Sequence, residues 1–279
     1  MSNYIPPLAR KEFCYTDYER PSIVEDLDKE DRKTSHLAIY KDTKNLHVLS
    51  EFDPEYLWLI NLNEPVFHSI IEKVNPRFLH VYGCKVTDYS PLEHFNLLEI
   101  CIVIWNTKAR QLWQVEANTA LRELHIENLA KLHDFTQLRD AHSLRYLGIE
   151  GGMWEKQTVT SLDMLNGLSN LERLRLVHLK IVNGGLQPLA DLTQLQSLGL
   201  SNAHKTEDVA WLSTRLSNTI CNLFAPYVEV EFIADGELEY DVMITGSRKP
   251  FLHSTKDKEK IAKYVEKYEA LVRKFQNTL

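Results

Sequence analysis

Apolar positions recur along the chain in units of the form LxxLxL. In NLERLRLVHL, Asn170 to Leu179, Leu171, Leu174 and Leu176 stand three and then two residues apart. A helix spaces apolar residues by three or four, and a half-buried strand alternates strictly. The unit joins a turn to a short strand. Its second and third leucines face inward from the strand, and its first comes from the turn feeding that strand. Clear copies are LRELHI from Leu121, LRYLGI from Leu144, LERLRL from Leu171 and LQSLGL from Leu195. LLEICI from Leu97 fits with Ile100 and Ile102 as its strand residues. Two degenerate copies, DPEYLWLIN from Asp53 and NPRFLHVYG from Asn75, put Pro54 and Pro76 in the first slot. TSHLAI from Thr34 is weaker.

The unit starts at 34, 54, 76, 97, 121, 144, 171 and 195 are 20 to 27 residues apart. No single unit can bury its own leucines, so neighbours must stack in parallel to make one continuous core. With this period and hexapeptide, the chain resembles the leucine-rich-repeat (LRR) family over roughly residues 34 to 220. The resemblance implies an α/β fold: an LRR solenoid, or horseshoe, with a parallel β-sheet on its concave face. The slot three residues past the last strand leucine departs from the family. Asn or Cys is usual there, but Leu129, Leu179 and Ala203 occupy it, with Asn128 and Asn202 one residue early. GGMWEKQTVT, Gly151 to Thr160, reads as an insertion. The expected horseshoe is irregular.

A solenoid exposes apolar faces at its ends unless they are capped. The chain therefore divides into residues 1–33 as an N-terminal cap or lead-in, 34–220 as a solenoid of about eight units, and 221–279 as a C-terminal cap. In the last segment Val228, Val230 and Phe232 alternate, Asp235-Gly236 is a hairpin-turn pair, and Leu238, Tyr240, Val242 and Ile244 alternate again. This predicts a β-hairpin continuing or covering the sheet edge. Beyond it, Ile261, Tyr264, Val265, Tyr268, Leu271, Val272 and Phe275 share one helical face, with Ser254 or Thr255 as N-cap. The apolar stripe predicts a helix packed on the last repeat.

Composition narrows the function. The 279-residue chain is 44% hydrophobic with a formal charge of −7, which disfavours nucleic acid and anionic membranes as partners. Arg248 to Leu279 carries nine Lys/Arg against four Asp/Glu, leaving the rest of the chain at −12. A peripheral membrane role through this basic helix is one alternative. Cys14, Cys84, Cys101 and Cys221 form no C-x-x-C pair, and the start MSNYIPPLARKEFCYTDYER lacks an apolar signal region. Both features fit a cytoplasmic protein.

No catalytic signature is present: neither H-E-x-x-H, G-x-S-x-G, the P-loop nor G-x-G-x-x-G occurs. No cofactor is expected. Candidate chemistry comes instead from the residues between the inward leucines, which face the concave side in columns. The middle column reads Ala38, Trp58, His80, Cys101, His125, Gly148, Arg175, Gly199. On one side lie His36, Tyr56, Phe78, Glu99, Glu123, Tyr146, Arg173 and Ser197. On the other lie Tyr40, Ile60, Tyr82, Val103, Glu127, Glu150, Val177 and Ser201.

This map predicts an aromatic patch (Tyr40, Tyr56, Trp58, Phe78, Tyr82), an acidic centre (Glu99, Glu123, Glu127, Glu150) and a basic spot (Arg173, Arg175). The first reading is a non-enzymatic protein-binding face whose partner carries a basic patch. It uses Tyr56, Trp58, Phe78, His80, Tyr82, Glu123, His125, Glu127, Tyr146, Glu150, Arg173 and Arg175. On it, Trp58→Ala or Tyr82→Ala weakens binding and leaves the melt nearly unchanged. The competing reading has terminal insertions or the N-terminal segment covering the aromatics as ordinary core. A metal-assisted hydrolase is a further alternative, because His80, Cys101 and His125 are ligand types at consecutive positions; His80, His125 and Glu123 would be its working residues. The family resemblance itself implies adaptor, regulatory or inhibitory work, as in small intracellular bacterial members.

Overall fold

The repeat produces ten short strands before residue 201: β1 (His36–Tyr40), β2 (Tyr56–Ile60), β3 (Phe78–Tyr82), β4 (Ile100–Asn106), β5 (Glu123–Leu129), β6 (Tyr146–Glu150), β7 (Gln157–Val159), β8 (Arg173–Val177), β9 (Leu179–Ile181) and β10 (Ser197–Leu200). The computed structural model describes residues 19–277; the remainder of the expected N-terminal cap, with Cys14, lies outside the described residues. Eight strands form one sheet in the order β1-β2-β3-β4-β5-β6-β8-β10. Every neighbouring pair is parallel and in step, Leu57 beside Leu79 and Leu147 beside Leu174. This is the leucine-rich-repeat solenoid. The Gly151–Thr160 insertion supplies β7, which pairs with β9 in a separate two-stranded ribbon.

Inward leucines from the strands and from the return segments fuse into one elongated core running from Val24 to Leu223. Each buried leucine contributes about 1.5–3 kcal/mol relative to an exposed one. Most return segments are single 3₁₀ turns, such as Ser90–His94 and Gln187–Asp191; the second unit uses the helix α1 (Glu64–Ile71). Asn63 caps α1 by accepting from the Val66 amide at 3.1 Å.

One frame differs from the expectation. Leu97 is 52% exposed and Leu98 is fully buried, so the unit at β4 begins at Leu98. Its inward residues are Cys101 and Val103, while Ile100, Ile102 and Ile104 pair with Phe78, His80 and Tyr82 and face the concave side. Cys101, Glu99 and Val103 therefore leave the three columns. Burial pushes the Cys101 thiol pKa up strongly, as befits a core residue.

The shifted frame also restores the family's polar slot. Asn106 stands three residues past Val103 and is buried. Its Nδ2 donates to the Val86 carbonyl and to the Tyr89 hydroxyl at 2.8 Å each, and its Oδ1 accepts from the amides of Lys108 and Ala109. Cys84 fills the same slot after β3: its Sγ accepts from the Leu62 amide at 3.3 Å, and burial raises its pKa to about 12. After β5, where Leu129 takes the slot, Gln157 on β7 reaches in. It accepts from the Leu129 amide and donates to the Leu132 carbonyl. Just before the slot, Asn61, Gly83, Trp105, Asn128 and His178 turn the chain with φ of 52° to 65°. Asn tolerates that left-handed geometry well, which explains why Asn128 stands one residue early.

The C-terminal segment comprises α2 (Thr206–Arg215), β11 (Tyr227–Ala234), β12 (Glu237–Ile244), β13 (Phe251–Leu252) and α3 (Lys258–Gln276). The expected hairpin is β11–β12, turning through Asp235 and Gly236, both at positive φ. It does not extend the main sheet. It joins β13 in a separate antiparallel sheet, tied to the solenoid by Asn202, which donates to the Ile244 carbonyl and accepts from the Gly246 amide. Helix α3 begins later than expected, with Asp257 at its N-cap, because Ser254 is engaged by the Asp241 carboxylate. Its predicted stripe is the buried or half-buried face, Tyr268 lies deepest, and α3 packs on α2.

Candidate partner-binding face

Corrected for β4, the middle column is Ala38, Trp58, His80, Ile102, His125, Gly148, Arg175, Gly199. The wall these columns make has two unlike halves.

The half over β1–β4 is apolar. Ala38, Tyr56, Trp58, Ile60, Phe78, Ile100, Ile102 and Ile104 form a cluster distinct from the main core, edged by Tyr40 and Tyr82. The rings are ordered: His36 stacks on Tyr56 at 4.3 Å and 8°, and Trp58 lies 4.9 Å from Phe78. The expectation of an exposed aromatic patch is corrected here. Trp58 is 2% exposed, and Tyr56 and Phe78 are also buried. Tyr40, His80 and Tyr82 are half-buried. Three isoleucines, which the sequence frame had hidden, enlarge the patch.

At the middle, Glu123, His125 and Tyr146 are buried. His125 Nε2 stands 3.7 Å from Glu127 Oε2, and its Nδ1 stands 3.8 Å from Glu150 Oε1. Arg175 Nε donates to the same Glu150 oxygen at 2.5 Å. The ladder Arg175–Glu150–His125–Glu127 thus crosses two columns and three strands. Glu99 is not part of it. It sits at the strand entrance and accepts from Arg77 at 2.6 Å, while Arg77 also lies 3.8 Å from Glu55.

Beyond the ladder the wall opens. Arg173 and Arg175 border a cavity of about 300 Å³, lined also by Tyr146, Ser197, Gly199 and Asn222. At the rim of this cavity Arg173 is half-buried and Arg175 exposed.

Burial, followed by the charges of His125 and Arg20, holds the His80 pKa down to about 4, so this imidazole is neutral at pH 7. His80 and His125 are separated by Ile102, and Cys101 points to the opposite side. The ligand constellation read from the sequence therefore does not assemble. Among the described residues, no three or more His, Cys, Asp or Glu side chains converge on a possible ion position. Among the same residues, no helix is long and apolar enough to cross a membrane.

No protein-family model matches the chain, and no curated protein sequence matches it. Solved structures do resemble it in part. Internalin C2 from Listeria monocytogenes is 19% identical, with 64% of this chain and 74% of that chain covered and a TM-score of 0.47. Internalin F from the same organism is 21% identical, with 67% and 61% covered and a TM-score of 0.46. The plant peptide hormone receptor RGFR1, solved in complex with RGF2, is 12% identical, with 77% and 38% covered and a TM-score of 0.45. The chain thus spans under two thirds of the length of the latter two.

Proposed function

We propose that this solenoid is a non-enzymatic protein-binding module acting as an adaptor, regulator or inhibitor, and that its contact surface is the polar half of the concave face. The observation carrying this reading is the fixed ladder Arg175–Glu150–His125–Glu127 beside the Arg173 cavity. Its charged side chains stand on strands already ordered by stacking, so binding costs little backbone entropy. Charges placed in this way set register and association rate.

The partner is a protein with a basic patch facing Glu127 and Glu150, and with a carboxylate for Arg173. Nucleic acid and membrane fit the −7 chain less well. A reducing, cytoplasmic setting suits the buried free thiols Cys84 and Cys101.

The test is affinity capture from native extract with the wild-type chain and with Arg173→Glu. A protein retained by the first at low salt, released between 50 and roughly 300 mM salt as screening grows, and lost with the second at an unchanged melting temperature supports the reading. Retention indifferent to both salt and Arg173→Glu defeats it.

A further inference from the structure

The hairpin β11–β12 outruns the body that supports it. At its base, Val242 and Ile244 on β12 and Leu252 on β13 form a small core of their own, covered by Ile261 and Tyr264 of α3. Residues two apart on a strand share a face, so Leu238 and Tyr240 continue that face toward the turn. Their cross-strand partners Ile233 and Phe232 stand beside them. The rings are ordered: Phe232 stacks on Tyr240 at 4.6 Å and 3°, and Phe251 brings a third ring to 4.6 Å from Tyr240. This half of the face is open. Phe232 is 43% exposed, Ile233 56% and Phe251 48%. Apolar groups gathered in this way on an exposed surface mark a place of contact.

Charge selects the occupant. From Tyr227 to Ser247 there are six carboxylates, Glu229, Glu231, Asp235, Glu237, Glu239 and Asp241, and no lysine or arginine. They are interspersed with the apolar residues along both strands, and all but Asp241 are exposed. Such an arm repels an anionic lipid surface or a nucleic acid. Two copies meeting hairpin to hairpin would double the carboxylates in one place. Glu229, Glu231 and the register shift between Glu229 and Phe232 blunt the free β11 edge against an added strand. The chain's own α3 shows what fits. It is an amphipathic helix in a segment with nine Lys/Arg against four Asp/Glu, and it rests Ile261 and Tyr264 on the base of this same face. In a second copy that stripe is already used in the same way.

We propose that the open half of the hairpin face, made by Phe232, Ile233, Leu238, Tyr240 and Phe251, docks a cationic amphipathic helix of another protein, which extends the layer begun by α3. The helix sets its apolar stripe on the rings. Its lysines or arginines reach Glu229, Glu231, Glu237 and Glu239 around them, and this charge match gives specificity and association rate. From Glu237 to Tyr240 the strand advances about 10 Å, room for roughly two helical turns. The site lies outside the concave face, so it holds independently of the contact assigned to Arg173.

The experiment titrates the whole chain into a fluorescein-labelled peptide of about 15 residues, leucine and lysine in helical spacing. A leucine–glutamate peptide of the same pattern is the control. Saturable one-to-one binding of the lysine peptide is expected, with the glutamate peptide failing to bind. Phe232→Ser with Leu238→Ser is expected to weaken it at least about tenfold. Glu231→Lys with Glu239→Lys is expected to do the same at low salt, and Arg173→Glu to leave it unchanged. All four hairpin side chains are exposed, so both double variants should keep the wild-type melting temperature. Should serine disturb the hairpin, the charge variant still decides. No binding, or binding indifferent to both double variants, overturns the proposal. A wild-type chain that elutes as a dimer, and as a monomer once Phe232 and Leu238 are replaced, overturns it in favour of a second copy as the occupant.

Discussion

The His125 imidazole occupies the space a side chain at Gly148 would need: a Cβ there would lie 2.5 Å from His125 Nδ1 and 3.2 Å from the Tyr146 hydroxyl oxygen. The two residues are cross-strand partners on β5 and β6. Because His125 is buried, its ring cannot swing into solvent to make room.

Gly148→Ala is therefore expected to cost about 1–3 kcal/mol through overpacking. In the His125→Ala background the same change should be nearly neutral. Denaturant melts of the four chains of this cycle measure the coupling; equal costs in both backgrounds would show that the ring is not the obstacle.

Trp58→Ala is expected to destabilise by about 3 kcal/mol, the usual cost of deleting a buried large aromatic side chain. This reverses the expectation drawn from sequence, in which Trp58 was a solvent-facing anchor. A thermal melt within a degree of wild type would restore the exposed reading.

Asn106→Ala removes four hydrogen bonds from the interior and leaves the Val86 carbonyl and two amides without their partner. Buried polar groups orphaned in this way cost about 1–3 kcal/mol each when unrelieved by water, so a loss near 3 kcal/mol is expected. The fluorescence-detected urea midpoint reads it. Asn128→Ala, at a left-handed exit position, should cost less.

Stability should also fall with acid through His80. Its folded pKa of about 4 lies below the unfolded value near 6.5, so between those limits the unfolded chain binds the extra proton. Stability is then complete above about pH 7, declines as pH drops through 6.5 toward 4, and takes no further loss from this group below 4. The decline attributable to His80 is on the order of 3 kcal/mol. Melting temperatures across pH 7 to 4 for wild type and His80→Gln test it; parallel curves would remove His80 from the account.

The fold was legible because leucine spacing repeats and because a one-residue slip in any ordinary strand would put its polar residues into the core. β4 escaped that logic. In ICIVIW both faces are apolar, so two frames one residue apart look alike from within the unit. Asn106, three residues beyond Val103, was the signal that separates them, since it restores the family's polar slot. The wall was half legible. Column neighbours other than those on β4 were correctly paired. Whether a column meets water depends on what lies over it, and spacing within the repeat carries no information about that.

The division of the wall bears on the geometry a ligand can have. β6, β8 and β10 span two inter-strand steps, about 10 Å at the usual spacing. That footprint is about one helix in diameter, so it suits a single helix edge or loop tip better than an extended segment threading the whole arc.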